Sequence, residues 1–173
     1  MSMPVYLDYN ATTPIAPEVA EAIRPCLGPL FGNPSSPHLY GIEARRAVDA
    51  ARAQVADLLG CAPGEVVFTG GGTEANNMAL KGVVRAADAT KRRRVVTSAV
   101  EHPAILEPLE ALAAEGVEVI VLPVDGHGVV DPDAVRRAVG EPTLLVSVMH
   151  ANNEVGTIQP IAEIAAVAHA AGA

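Results

Sequence analysis

From Val66 to the last residue, short aliphatic runs alternate with longer stretches of helical periodicity, and this alternation constrains the fold more than any other feature. Val66-Val67-Phe68 reads as a strand, followed by Gly70-Gly71-Gly72 and a helix from Thr73 to about Ala87. Val95 to Ser98 is a strand, followed by Glu101-His102-Pro103 and a helix to Ala114. Val117 to Leu122 is a strand, followed by the turn Asp125-Gly126-His127-Gly128 and a helix from Pro132 to Val139. Leu144 to Met149 is a strand, followed by Ala151-Asn152-Asn153-Glu154 and a helix from about Pro160 onward. Strands that alternate with helices are joined by right-handed crossovers into a parallel sheet, so the expected class is α/β, a mainly parallel sheet with helices on both faces. Composition agrees. Half of the 173 residues are hydrophobic but only 3% are aromatic, a pattern that suits aliphatic buried strands under Ala-rich helices.

The first third of the chain is different. Val5-Tyr6-Leu7 looks like a short opening strand, Ile15 to Leu27 has helical spacing with Pro17 in the first turn, and residues 31–37, Phe-Gly-Asn-Pro-Ser-Ser-Pro, must be a loop. Gly41 to Leu59 is the longest helical stretch, with Gly60 ending it. The expected division is therefore residues 1–60, an arm with helices, and residues 61–173, the first part of an α/β domain.

The net charge of −8 provides no basic field for nucleic acid or an anionic membrane. The one basic run, Lys91-Arg92-Arg93-Arg94, reads as a solvated loop entering a strand. Cys26 and Cys61 form no metal or disulfide framework, and no secretory signal or membrane span of about 20 apolar residues occurs. A cytoplasmic protein is the expectation.

Ligands of open parallel sheets bind beyond the carboxyl ends of the strands. That rule selects the loops at Gly70-Gly71-Gly72-Thr73, Glu101-His102-Pro103 and Ala151-Asn152-Asn153-Glu154. Three glycines let a backbone fold tightly, and Thr73 can either cap the helix it starts or bind a phosphate oxygen. The glycine spacing matches neither the P-loop nor the dinucleotide fingerprint. His102, just past a strand, could stack on a flat cofactor or be purely structural. Residues 152–154 could be a plain Asx-rich turn. His38, His150 and His169 have no metal-ligand spacing, so no metal site is expected.

Five stretches nevertheless match a known pattern in order: VYLDYNATTP (5–14), FGNPSSPH (31–38), FTGGGTEANN (68–77), VEHPAI (100–105) and SVMHANNEVGTIQP (147–160). Together they resemble the N-terminal portion of cysteine desulfurases of the nitrogenase-associated and housekeeping type. The resemblance implies part of the large domain of a fold-type I pyridoxal 5'-phosphate enzyme that works as a homodimer. Such enzymes take sulfur from L-cysteine, leave L-alanine, and pass the sulfur as a persulfide to an iron-sulfur scaffold or another acceptor. By similarity, Gly72 and Thr73 hold the cofactor phosphate, His102 stacks on the pyridine ring and assists proton transfer, and Asn153 contacts the ring and its phenolic oxygen.

The departures from the family pattern carry equal weight. The Schiff-base lysine, the aspartate that pairs the pyridine nitrogen, the persulfide cysteine and the arginine for the substrate carboxylate all lie beyond the matched region. Lys81 and Lys91 are the only lysines, and they match no such motif; neither do Cys26 and Cys61. The chain alone is therefore expected to be inactive, since the chemistry needs a lysine-anchored electron sink and a thiolate. A selenocysteine lyase-like enzyme shares these motifs, and a phosphate-binding or partner module is the non-enzymatic alternative. In fold-type I enzymes, sheet order differs from chain order. The strand at 95–98 should therefore lie between those at 117–122 and 144–149, while residues 66–69 should lack both neighbours.

Overall fold

The computed structural model describes residues 4–87 and 93–173, which form two compact units, one ending at Phe68 and the other running from Thr69 to Ala173. Lys91 and Arg92 of the basic run lie outside the described residues.

The first unit contains α1 (Pro17–Ile23), a 3-10 turn (Arg24–Leu27), α2 (Leu39–Leu59) and a second 3-10 turn (Pro63–Glu65). Pro17 opens α1 and His38 caps α2, its Nδ1 accepting from the Gly41 amide at 3.4 Å. Gly60 sits at φ +69, the left-handed conformation that ends a helix and that only glycine adopts without strain. At Gly41 the requirement is space: a Cβ there would lie 2.3 Å from the Ser36 carbonyl oxygen, so the 31–38 loop can fold down on the helix. Residues 5–7 form no strand; the segment is held instead by the Tyr6 hydroxyl, which donates to the carbonyls of Asp8 and Thr12.

In the second unit α3 (Gly72–Ala86), β1 (Arg94–Ser98), α4 (Pro103–Ala114), β2 (Glu118–Leu122), α5 (Pro132–Ala138), β3 (Thr143–Ser147) and α6 (Ile161–Ala170) follow one another as the alternation requires. The sheet is parallel with order β2-β1-β3, so β1 is central, as expected from the resemblance. Because side chains alternate across a strand, Val95 and Val96 serve opposite cores. Val95 packs with Leu80, Leu109, Leu112 and Val117 under α3 and α4; Val96 packs with Leu122, Val130, Val135 and Ile164 under α5 and α6. Helices thus cover both faces, and the aliphatic run of β1 is explained by burial on both sides. Arg94 enters β1 directly opposite Glu118 and binds its carboxylate with two nitrogens, at 2.9 and 3.0 Å.

The segment whose composition reads as a strand at 66–68 is unpaired, as the sheet order implied by the resemblance requires. Residues 66–69 join no sheet. Strand character needs a hydrogen-bonded neighbour, and no strand among the described residues pairs with this segment. The Val66 amide bonds Pro63 and the Val66 carbonyl accepts from Arg52 instead, with the Arg52 guanidinium 5.0 Å above the Phe68 ring. Among the remaining boundaries, the β3 strand stops at Ser147 and the final helix at Ala170, each shorter than the aliphatic pattern suggests.

Candidate functional site

Parallel neighbours β1 and β3 end at the same edge, so the loops that leave them emerge side by side. Helix α3 reaches that edge from the opposite direction. Its last turns lead toward the start of β1, and Leu80 and Val84 pack with Val95 and Val117 near the amino ends of the strands. Its first turn therefore points toward the carboxyl edge, where the other two loops lie.

Helix α3 begins at Gly72, with Gly71 as a cap residue that has no side chain to satisfy the free amides. Thr73 therefore lies within the first turn and does not cap it, which corrects one of the two roles its hydroxyl could play. The reason for the glycines also changes. None of the three lies in the left-handed region, and Gly71, at φ 166 and ψ 175, is simply extended. A Cβ at Gly71 or Gly72 would meet nothing within 4 Å, so the chain's own packing does not demand glycine there. The glycines leave open space in front of uncapped helix amides, an arrangement suited to an anion that must come close. On the near side, the Gly70 amide is occupied by the Glu74 carboxylate at 2.6 Å.

His102 is the exposed cap of α4, its Nδ1 accepting from the Ala104 amide at 3.0 Å. That bond fixes the ring's orientation and, in the neutral imidazole, leaves the proton on Nε2, the nitrogen that points away from the helix. Asn153 is exposed, with its amide nitrogen 3.2 Å from the Glu154 carboxylate. Its neighbour Asn152 makes the Asx turn that the composition suggests: Oδ1 accepts from the amides of Glu154 and Val155 at 2.9 and 3.0 Å.

Three buried or half-buried polar residues hold this edge together through cross-segment bonds that sequence reasoning did not anticipate. The Glu101 carboxylate, 7% exposed, accepts from the Ser98 hydroxyl at 2.7 Å and from the Met149 amide at 2.8 Å. Asn152 Nδ2 donates to the Val100 carbonyl at 3.1 Å. Gln159, 3% exposed, accepts from the Val130 amide at 2.9 Å and donates to the Gly128 carbonyl at 2.7 Å, tying the 150–159 loop to the hairpin that follows β2. All three sit in segments that read as polar loop, where nothing local distinguishes a buried side chain from a solvated one.

Lys81 lies in the body of α3, Cys26 is exposed in the first 3-10 turn, and Cys61 is half-buried just after Gly60. Among the described residues no group of His, Cys, Asp or Glu could hold a metal ion, and no helix is long and apolar enough to cross a membrane.

A parallel sheet covered by helices on both faces, with polar loops at its carboxyl edge and an open, glycine-lined helix start, defines a class, and the chain belongs to the class V aminotransferase family, which it matches over residues 5–173. Within that family its relatives include cysteine desulfurases. It is 51% identical to cysteine desulfurase IscS of Dictyoglomus turgidum over 168 residues, 97% of this chain and 42% of that protein. It is 46% identical to IscS of Methanosarcina thermophila over 164 residues, 95% of this chain and 40% of that protein. Among solved structures, a NifS-like protein matches with a TM-score of 0.93 at 41% identity, over 98% of this chain and 46% of its own. SspA in complex with cysteine matches with a TM-score of 0.89 at 37% identity, over 95% of this chain and 47% of its own. The chain thus spans less than half the length of these relatives.

Proposed function

We propose that this chain supplies the phosphate cradle and part of the ring contacts of a pyridoxal 5'-phosphate-dependent cysteine desulfurase. The whole enzyme, a cytoplasmic homodimer, would remove sulfur from L-cysteine to give L-alanine and pass a persulfide to an iron-sulfur scaffold or another acceptor. The observation that carries the reading is the start of α3: uncapped amides behind two glycines that the chain's own packing does not require. Gly72 and Thr73 would hold the phosphate with amide and hydroxyl donors, assisted by the positive end of a helix of 15 residues. His102 would lie against the flat face of the cofactor ring and hold or release a proton at Nε2. The Asn153 side-chain amide would donate to the ring's phenolic oxygen. When bound, the cofactor supplies the electron sink for breaking bonds at the substrate's α-carbon.

The donors fit such a group, and the missing partners limit what the chain does alone. No lysine stands on the three loops, and neither cysteine is in them. Cofactor binding should be reversible and weak, without covalent capture.

Equilibrium dialysis with pyridoxal 5'-phosphate, with and without competing inorganic phosphate, tests the reading. Binding should be competed by phosphate and should fall in Gly72→Val, whose added side chain enters space that no protein atom occupies. Borohydride treatment should leave no pyridoxyl adduct, and L-cysteine should yield no sulfide or alanine. Binding indifferent to phosphate and to Gly72→Val would overturn the cradle. An adduct lost in Lys81→Ala, or turnover that survives removal of host enzymes, would overturn the claim that the chain lacks its anchor.

A further inference from the structure

We propose that Glu101 and Asn152 are positioning residues that clamp the His102 loop to the Asn153 loop and so set the width of the cofactor slot. The inference rests on the reading of His102 and Asn153 as ring contacts. Each proposed contact is exposed, and each is preceded by a residue turned the other way. Glu101 is buried and its carboxylate crosses from the end of β1 to the Met149 amide beyond β3. Asn152 crosses in the opposite direction, its Nδ2 donating to the Val100 carbonyl while its Oδ1 organises its own loop through the amides of Glu154 and Val155. The Ser98 hydroxyl, itself fully buried, holds the same Glu101 oxygen from below. Two reciprocal cross-links therefore join the loops, each anchored one residue before the side chain it would aim.

Burial of a carboxylate among neutral donors is an expensive way to pack a sheet edge, because an aliphatic residue would fill the volume without desolvating a charge. What the carboxylate adds is one oxygen that receives two donors from different segments, Ser98 at the end of β1 and Met149 beyond β3, an acceptor that no aliphatic residue offers. The last residues of β1 and β3 already run parallel through the sheet, but the ladder ends at Thr97 and Ser147. Beyond that point backbone pairing no longer fixes the separation of the two loops, and the side-chain clamp takes over. A ring held between His102 and Asn153 needs that separation fixed, whereas a phosphate held at α3 does not.

This difference provides the test. Dissociation constants for inorganic phosphate and for pyridoxal 5'-phosphate, together with amide exchange at Met149 by NMR, would be measured on the full chain and on Glu101→Leu, Glu101→Gln and Asn152→Ala. In Glu101→Leu, pyridoxal 5'-phosphate should bind roughly tenfold or more weakly, Met149 protection should fall by a similar factor, and phosphate affinity should stay within about twofold. Glu101→Gln retains an oxygen that can accept both donors, so it should stay near wild type in all three measurements. Should Glu101→Leu not fold, Asn152→Ala carries the same comparison from the loop side and should also weaken the cofactor selectively. An equal loss of phosphate and cofactor affinity would mean a purely structural role and would overturn the proposal, as would unchanged cofactor affinity in Glu101→Leu and Asn152→Ala. If the wild-type chain binds the cofactor no more tightly than phosphate, the ring-contact reading fails. The clamp is then judged by Met149 protection, lost in Leu and kept in Gln if it exists, and unchanged in both if it does not.

Discussion

Replacement of Thr97 by valine should stabilise the protein. Thr97 lies in the central strand, is 0% exposed, and its hydroxyl oxygen is buried without a hydrogen-bond partner among the described residues. It shares its face of the sheet with Val95, toward α3 and α4, opposite Val121 in the register of β1 and β2. A buried hydroxyl without a partner costs about 1–3 kcal/mol in proteins. Valine has nearly the same shape, keeps the methyl contacts, and is at least as favourable in a strand. Exchange should therefore recover about 1–2 kcal/mol, a factor of roughly 5–30 in the folding equilibrium constant. Urea unfolding followed by circular dichroism would register a higher midpoint with an unchanged slope. Thr97→Ser is the control: it retains the hydroxyl, loses the methyl, and should cost about 1 kcal/mol through the cavity it leaves. A destabilised Thr97→Val would refute the reasoning, because it would mean that the hydroxyl has a partner whose loss outweighs the desolvation it avoids.

Two further outcomes follow from the polar groups around the sheet. Gln159→Leu orphans the Val130 amide, which is fully buried, and the Gly128 carbonyl, which is only half-buried; urea unfolding should register a loss of about 2–3 kcal/mol, most of it from the amide. Asp125 is held below its ordinary value of 3.8 by the amides of Val129 and then His127, and Asp131 below the same value chiefly by the Asp133 amide. A lowered folded pKa adds stability above the unfolded value and loses it as pH falls through the folded one. Urea midpoints should therefore hold steady down to about pH 5 and decline below about pH 4. Asp125→Asn keeps an accepting oxygen for the turn, so its acid decline should be shallower.

The meeting of the His102 and Asn153 loops at one edge has a simple origin. A parallel strand presents its carboxyl end, the following loop and the next helix start in one place, so residues far apart in sequence arrive at one edge without any special device. What the edge lacks is precision, since the ladder stops before the loops begin. Glu101, Asn152 and Gln159 supply it with hydrogen bonds that cross between segments.

The alternation of aliphatic runs and helical stretches was sufficient to determine the α/β class, the three strands of the sheet and the helices between them, because each rests on local periodicity and on burial that periodicity reports. Gly60 as a helix end and the Asx turn at Asn152 were likewise legible, since both depend on the conformational freedom or reach of a single residue. Pairing is a different matter. Val66-Val67-Phe68 has the composition of a strand but no neighbour to bond, and no property of the segment itself reveals that. Gly71 and Gly72 read as residues of a tight turn, yet the backbone there is ordinary and the glycines face open space. The sharpest case is Asn152 and Asn153, adjacent and chemically identical. One is half-buried and bridges to Val100, while the other is exposed at the edge. The direction of a side chain at a loop is set by which strand runs beside it, and only the tertiary structure decides that.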